Sequence, residues 1–234
     1  MYYSRESWIF LFFAYSLAGY IWEVVWVSLN QKKLQNRGFL FGPWLPIYGF
    51  GAIIVLHATL PVYDNLVAVY ILGLVSATAL EFVTGFIMLK LFKVRYWDYS
   101  KDVGNIKGYV CPRASLAWGM FSILLIKYIH PFFDDLLKYI PDQYATNLAG
   151  LLVVVFIADV IISAENALNF KATLEALLVD ENNNGIPDIL EEIPVHIRQR
   201  RQIAHAKIEK LITKHPTAVF DKRVESLVER LRSK

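Results

Sequence analysis

Cysteine is almost missing: Cys111 is the only one, so no disulfide can close within the chain. That suits a reducing, cytosolic side of a membrane. Charge is sparse as well, at 19% of residues and a net +3, which is too little to suggest nucleic acid as a partner. No Gly-x-x-x-x-Gly-Lys-Ser/Thr phosphate loop occurs, so any use of ATP would need a separate ATPase subunit. No recognised catalytic signature occurs either. A cleavable leader would show a basic start, a short apolar stretch and small residues. Here Arg5 is followed by Glu6, and the apolar run after them is long and aromatic. The first apolar run is therefore expected to stay as an anchor.

What the chain has is apolar length. Hydrophobic residues make up 56% of the 234 and aromatics 15%. A soluble domain is usually about 45–50% apolar. Mean hydropathy is +0.38. Crossing a hydrocarbon core takes about 20 mostly apolar residues per helix. Five stretches qualify: Trp8–Leu29, Gly42–Val62, Val67–Phe92, Ala114–Phe133 and Ala145–Glu165. The fourth contains Lys127 and ends in His130-Pro131. So many helices apolar on every face would find too little interior in a soluble globule of this size. The pattern predicts an all-α, polytopic integral membrane protein of about five transmembrane helices. Residues 1–168 form the membrane domain, and 169–234 form a charged, helical cytoplasmic tail.

Short-loop Lys and Arg set the expected orientation. The first loop carries Lys32, Lys33 and Arg37, and the third Lys93, Arg95, Lys101 and Lys107. The second loop has none, and the fourth has only Lys138 beside Asp134, Asp135 and Asp142. Loops one and three then face the cytoplasm, with the N-terminus outside and the C-terminus inside, in the plasma membrane. Trp8, Tyr15, Trp44, Trp97 and Tyr139 fall near the boundaries, where interfacial aromatics gather.

The candidate chemistry lies in acids within the apolar stretches: Glu23, Glu81, Asp159 and Glu165. A charge near the centre of a membrane helix costs at least about 2.5–3.5 kcal/mol, so it faces a bundle interior, a wet cavity or a cationic partner. Two readings follow. One is a cytoplasm-facing polar site for a cation, a proton or a basic part of a substrate. The other is structural pairing with Arg37, Lys90, Arg95 or Arg113. His57 and His130 are expected near the outer face, far from these acids.

Two loops add polar candidates. Asn36-Arg37-Gly38-Phe39-Leu40-Phe41-Gly42-Pro43 runs into Pro46-Ile47-Tyr48-Gly49. Such irregular backbone at membrane depth lines a cavity or is buried in protein, and in some transporters broken helices hold the substrate. A tight turn with Pro43 capping the second helix is the plainer account. The third loop holds Trp97-Asp98-Tyr99-Ser100, then Asn105 and Gly108, before Arg113 and Trp118-Gly119. Each half therefore has a helix with a Glu, a basic loop with Asn and Gly, and a returning helix. That layout suggests a parallel repeat pairing Glu23 with Glu81 and Asn36/Gly38 with Asn105/Gly108. The pathway set is Glu23, Glu81, Asn36, Arg37, Asp98, Asn105, Arg113, Asp159 and Glu165.

The stretches Gly19-Tyr20…Glu23, Asn36-Arg37-Gly38-Phe39-Leu40, Gly42-Pro43…Pro46-Ile47-Tyr48-Gly49, Glu81…Gly85, Trp97-Asp98-Tyr99-Ser100…Asn105…Gly108 and Trp118-Gly119 carry a resemblance. Over roughly residues 10–165 the chain resembles the bacterial CmpB family of ABC-transporter type IV permease-like proteins. The resemblance implies a multi-pass plasma-membrane protein and a permease subunit. It carries over no substrate and no catalytic residue.

Beyond the resemblance, residues 180–191 read Asp-Glu-Asn-Asn-Asn-Gly-Ile-Pro-Asp-Ile-Leu-Glu. Asp180, Asn182, Asn184, the Ile186 carbonyl, Asp188 and Glu191 fall at the ligand positions of a twelve-residue calcium loop, with Gly185 at the sharp turn. Pro187 is unusual there, and two Asn ligands predict weak binding. Calcium is the one cofactor the sequence suggests; an Asn/Gly-rich turn that never sees metal is the alternative. Two helices are expected after it, Val195–Lys214 and Thr217–Arg232. Candidate partners are the bilayer, an ATPase subunit and further copies of the chain. Three functions remain open: a transporter permease-like subunit, a calcium-responsive regulatory or scaffolding protein, and a membrane-embedded enzyme using the acids.

Overall fold

The structure is a computed structural model and describes residues 3–32, 38–92, 94–183 and 219–220, with side chains as far as Leu168. The described residues are mostly helical. α1 spans Arg5–Gln31, where the Ser4 hydroxyl accepts from the Ser7 amide as an N-cap at 3.1 Å. α2 spans Pro46–Thr59 and runs into a tight turn at Leu60–Val62. α3 spans Leu66–Phe92, with the Asn65 side chain accepting from the Ala68 amide. α4 spans Pro112–Leu124, a π turn covers Leu125–Ile129, and α5 spans His130–Leu137. α6 spans Asp142–Asn183.

Among the described residues, four helical runs are long and apolar enough to cross a membrane: Arg5–Asn30, Leu66–Phe92, Pro112–Leu137 and Asp142–Leu168. The fifth, Pro46–Val62, is shorter. The expected start at Gly42 fails because Gly42 to Leu45 is not helical. Pro46 takes the first helical position instead, where a missing N–H costs nothing. Nor does Pro131 end the fourth run. A proline ring clashes with the carbonyl four residues back. The π turn relieves that clash: the His130 amide bonds the Leu125 carbonyl, five residues back. The last helix runs well past the expected Glu165, since no Gly or Pro lies between Gly150 and Gly185 to stop it.

Residues 1–86 and 98–163 form one compact unit. Its core includes Leu11, Tyr15, Ala52 and Leu56, packed where α1 meets α2. Glycines set how closely the helices approach. A Cβ on Gly49 would lie 2.7 Å from the Phe12 ring and 2.2 Å from the Ser16 hydroxyl. One on Gly73 would lie 2.1 Å from the Ser122 hydroxyl, and one on Gly119 2.6 Å from the Tyr70 ring.

The second unit comprises residues 87–97 and 164–234. In it β1, Val94–Arg95, pairs antiparallel with β2, Val219–Phe220, in the register Val94↔Phe220 and Arg95↔Val219. The helix expected over Thr217–Arg232 is corrected at these two residues. Val and Phe favour extended backbone, and the pairing satisfies their amides. The helix expected over Val195–Lys214 lies outside the described residues.

Candidate functional site

Among the described residues Glu81 is the most buried acid. It sits on α3 with 5% of its surface exposed, and each carboxylate oxygen takes one neutral donor. The Tyr99 hydroxyl donates to Oε1 at 2.9 Å, and the Trp118 indole N–H donates to Oε2 at 2.9 Å. Among the described residues it has no ion pair, so pairing with a basic residue is not what holds it. Trp118 reaches it because α4 packs on α3 at Gly73 and Gly119. Tyr99 reaches it because its loop is folded on itself. The Tyr99 amide donates to the Gly108 carbonyl at 3.0 Å, and Ile106 and Val110 form a bridge. Lys107 and Gly108 turn that bridge with φ of 51° and 74°, the left-handed pair a tight hairpin demands. Burial first, and the Glu81 charge second, push the Tyr99 phenol above its ordinary pKa. Tyr99 therefore stays protonated and remains a donor.

Glu23 is arranged similarly. It is half-buried on α1, and the Tyr48 hydroxyl donates to its Oε1 at 2.7 Å from the first turn of α2. The two hairpins match position by position. Phe12, Tyr15 and Glu23 on α1 have the same spacing as Tyr70, Gly73 and Glu81 on α3. Tyr48, Gly49 and Ala52 on α2 have that of Trp118, Gly119 and Ser122 on α4. Corresponding positions meet: Gly49 against Phe12 and Gly119 against Tyr70, then Tyr48 on Glu23 and Trp118 on Glu81. Tyr15 and Ala52 share the core cluster, as Gly73 and Ser122 are in contact. Upstream, Gly38-Phe39-Leu40 corresponds to Gly108-Tyr109-Val110, with Leu40 and Val110 both buried.

Several of the other predicted site residues serve as braces. Asp159 on α6 accepts from the Phe41 amide at 2.9 Å, the Gly42 amide at 2.8 Å and the Ser163 hydroxyl at 3.1 Å. The Leu45 amide donates to the Ser16 carbonyl at 3.1 Å. These bonds satisfy the Phe41, Gly42 and Leu45 amides of the non-helical stretch 38–45. Asp98 accepts from the Ser100 amide at 2.9 Å and from the Ser100 hydroxyl, which makes a local turn. The Asn105 amide donates to the Ser100 and Asp102 carbonyls, and its oxygen accepts from the Gly108 amide. Arg113 is 80% exposed and pairs with Asp102 at 3.1 Å. Glu165 is exposed and belongs to the second unit. Asn36 and Arg37 lie outside the described residues. Asp180 and Asn182 fall on the α6 backbone, and Asn184, Ile186, Asp188 and Glu191 lie outside the described residues.

Sequence reasoning missed the donors Tyr48, Tyr99 and Trp118. The signal available was the aromatic-Gly pair, Tyr48-Gly49 and Trp118-Gly119, which opens each returning helix. It also missed a polar cluster around His130, Tyr15, Tyr3 and Asp134.

Apolar helices of membrane-crossing length, with acids held by aromatic donors, define a polytopic helical membrane protein. Residues 10–164 match the family model ABC_trans_CmpB, described as "Putative ABC-transporter type IV", and the chain belongs to that family. No curated protein and no solved structure matches it.

Proposed function

We propose that the chain is the permease-like subunit of a membrane transporter, with Glu81 and Glu23 lining a polar site that opens to the cytoplasm. The observation that carries this is the Glu81 carboxylate, buried on an apolar helix and met only by the neutral donors Tyr99 and Trp118 among the described residues. A carboxylate offers about four acceptor positions, and these donors fill two. A cation or a proton fits the remainder. The Glu23 carboxylate, met by the Tyr48 hydroxyl, sits at the matching place in the first hairpin. The Lys and Arg bias of loops one and three puts both on the cytoplasmic half. Lacking a phosphate loop, the subunit draws energy from a separate ATPase. Affinity purification of the whole protein in mild detergent, with mass spectrometry, tests this. A co-purifying ATPase retained in the Glu81→Gln variant, whose transport is lost, supports the reading. No ATPase with the wild type overturns it.

A second reading rests on the spacing at 180–191: a calcium-responsive regulatory role for the tail. Calcium titration of the whole protein in nanodiscs, wild type against Glu191→Gln, is its test. Binding that Glu191→Gln leaves unchanged removes it.

A further inference from the structure

The Glu81 carboxylate keeps acceptor positions to spare but has almost no exposed surface. Its two donors are mounted differently. Trp118 is carried by α4, which is fixed against α3 at Gly73 and Gly119. Tyr99 is carried by a loop. The first hairpin supplies a comparison. When Gly38-Phe39-Leu40 is matched to Gly108-Tyr109-Val110, the residue in the place of Tyr99 is Leu29, on α1 and without a hydroxyl. Glu23 in that hairpin is half-buried, whereas Glu81 is 5% exposed. The tighter sealing goes with the loop-borne phenol.

Exposure divides this loop at one point. Gly108, Tyr109, Val110 and Cys111 are buried, and Tyr109 stands edge-on to Phe82 at 5.4 Å and to Phe86 at 6.4 Å. On the other limb Lys101, Val103, Gly104, Ile106 and Lys107 are exposed, Val103 at 95%. The boundary falls on Lys107-Gly108, where both φ values are positive. Glycine enters and leaves that conformation without steric cost. The exposed limb carries bonds of its own: the Asp102 amide donates to the Tyr99 carbonyl at 2.8 Å, and the Asn105 side chain donates to the Ser100 and Asp102 carbonyls. The Tyr99 and Ile106 amides reach across the boundary, to the Gly108 carbonyl at 3.0 Å and the Val110 carbonyl at 2.9 Å. Asp102 also pairs with Arg113 of α4, itself 80% exposed, and exposed pairs contribute little. A limb with few buried apolar side chains is where local opening is least costly.

We infer that residues 99–107 form a lid over Glu81, latched by the Tyr99 hydroxyl, and that the lid opens about Lys107-Gly108 to admit water and a cation to the carboxylate. The inference rests on the reading of Glu81 as the polar site, and it adds how that site is reached. Latch and occupant compete. A cation at Oε1 draws on the same negative charge that holds the Tyr99 hydroxyl, so occupancy loosens the lid and closure favours release.

The test needs neither a transported substrate nor an ATPase, so its failure is separate from failure of the permease reading. The whole protein in nanodiscs is treated with a water-soluble carbodiimide and glycinamide, and peptide mass spectrometry follows the labelling of Glu81. Amide hydrogen exchange is read on the same samples. Expected is slow labelling in the wild type and a rise of about 10–100-fold in Tyr99→Phe, the factor that one hydrogen bond to a charged group supplies. The Tyr99 and Ile106 amide positions should exchange faster by the same factor, because a single opening governs all three. Arg113→Gln, which touches neither Tyr99 nor Glu81, should move the three together by a smaller factor, so a misfolded Tyr99→Phe cannot mimic the result. Trp118→Phe removes a bond to Glu81 from the helix side and should leave the two amides unchanged. Labelling that Tyr99→Phe does not speed overturns the lid. So does labelling that rises while the two amides stay protected, or a Trp118→Phe variant that frees the amides equally.

Discussion

Glu81 shows how a single substitution can separate holding from function. In Glu81→Gln the amide oxygen accepts from Trp118, and the amide nitrogen donates to the Tyr99 oxygen once that hydroxyl turns. Little stability should be lost, while any step that needs the charge fails. Glu81→Ala strands both buried donors, each costing about 1–3 kcal/mol. Thermal unfolding in detergent should rank wild type and Glu81→Gln together and Glu81→Ala well below. Glycine makes the companion case. The Cβ of Gly73→Ala would fall on the Ser122 side chain, and overpacking of this kind costs about 1–3 kcal/mol. Adding Ser122→Gly should recover most of that loss, a coupling a double-mutant cycle reads directly. Both acids were visible as charges in apolar runs. Their donors were not, because Trp118 is distant along the chain and meets Glu81 only through helix packing.

At the scale of elements, the loop from Gly38 to Leu45 depends on α6. The Asp159 carboxylate is the acceptor for the Phe41 and Gly42 amides. Asp159→Ala should therefore speed hydrogen exchange at those two amides, with the helical amides of α2 largely unaffected. Uniform protection in the variant would show that another group satisfies the loop. The sequence marked this loop as irregular from its Gly and Pro residues, but left open whether it lines a site or simply turns. The carboxylate brace answers part of that question, and it came from a helix more than a hundred residues away. The α4–α5 run shows the converse. Pro131 reads as a helix stop, yet the π turn carries the helix through it at the cost of one irregular turn.

For the whole molecule, the testable quantity is orientation. The loop charge bias predicts Tyr139 outside and Lys32 and Lys101 inside. All three side chains are exposed. A membrane-impermeant maleimide on intact cells should label Tyr139→Cys, and label Lys32→Cys and Lys101→Cys only after permeabilisation. Cys111 is 2% exposed and its sulfur caps α4, so Cys111→Ser gives a clean background that keeps a capping oxygen. The reverse labelling pattern would invert the assignment and put Glu23 and Glu81 on the outer half.

Composition alone determined that this is a helical membrane protein, because apolar runs of spanning length have few other stable fates. It also located the acids, and the motifs between them identified the family that residues 10–164 match. Tertiary structure decided what each acid does. Glu81 is held by Tyr99 and Trp118, Asp159 is spent on backbone amides, and His130 is wired to Asp134 through Tyr3. The reason is physical. Insertion into a membrane depends on summed local hydropathy, which a sequence displays residue by residue. Hydrogen-bond partners depend on which helix faces meet, and small residues such as Gly49, Gly73 and Gly119 set those meetings only once the helices have packed.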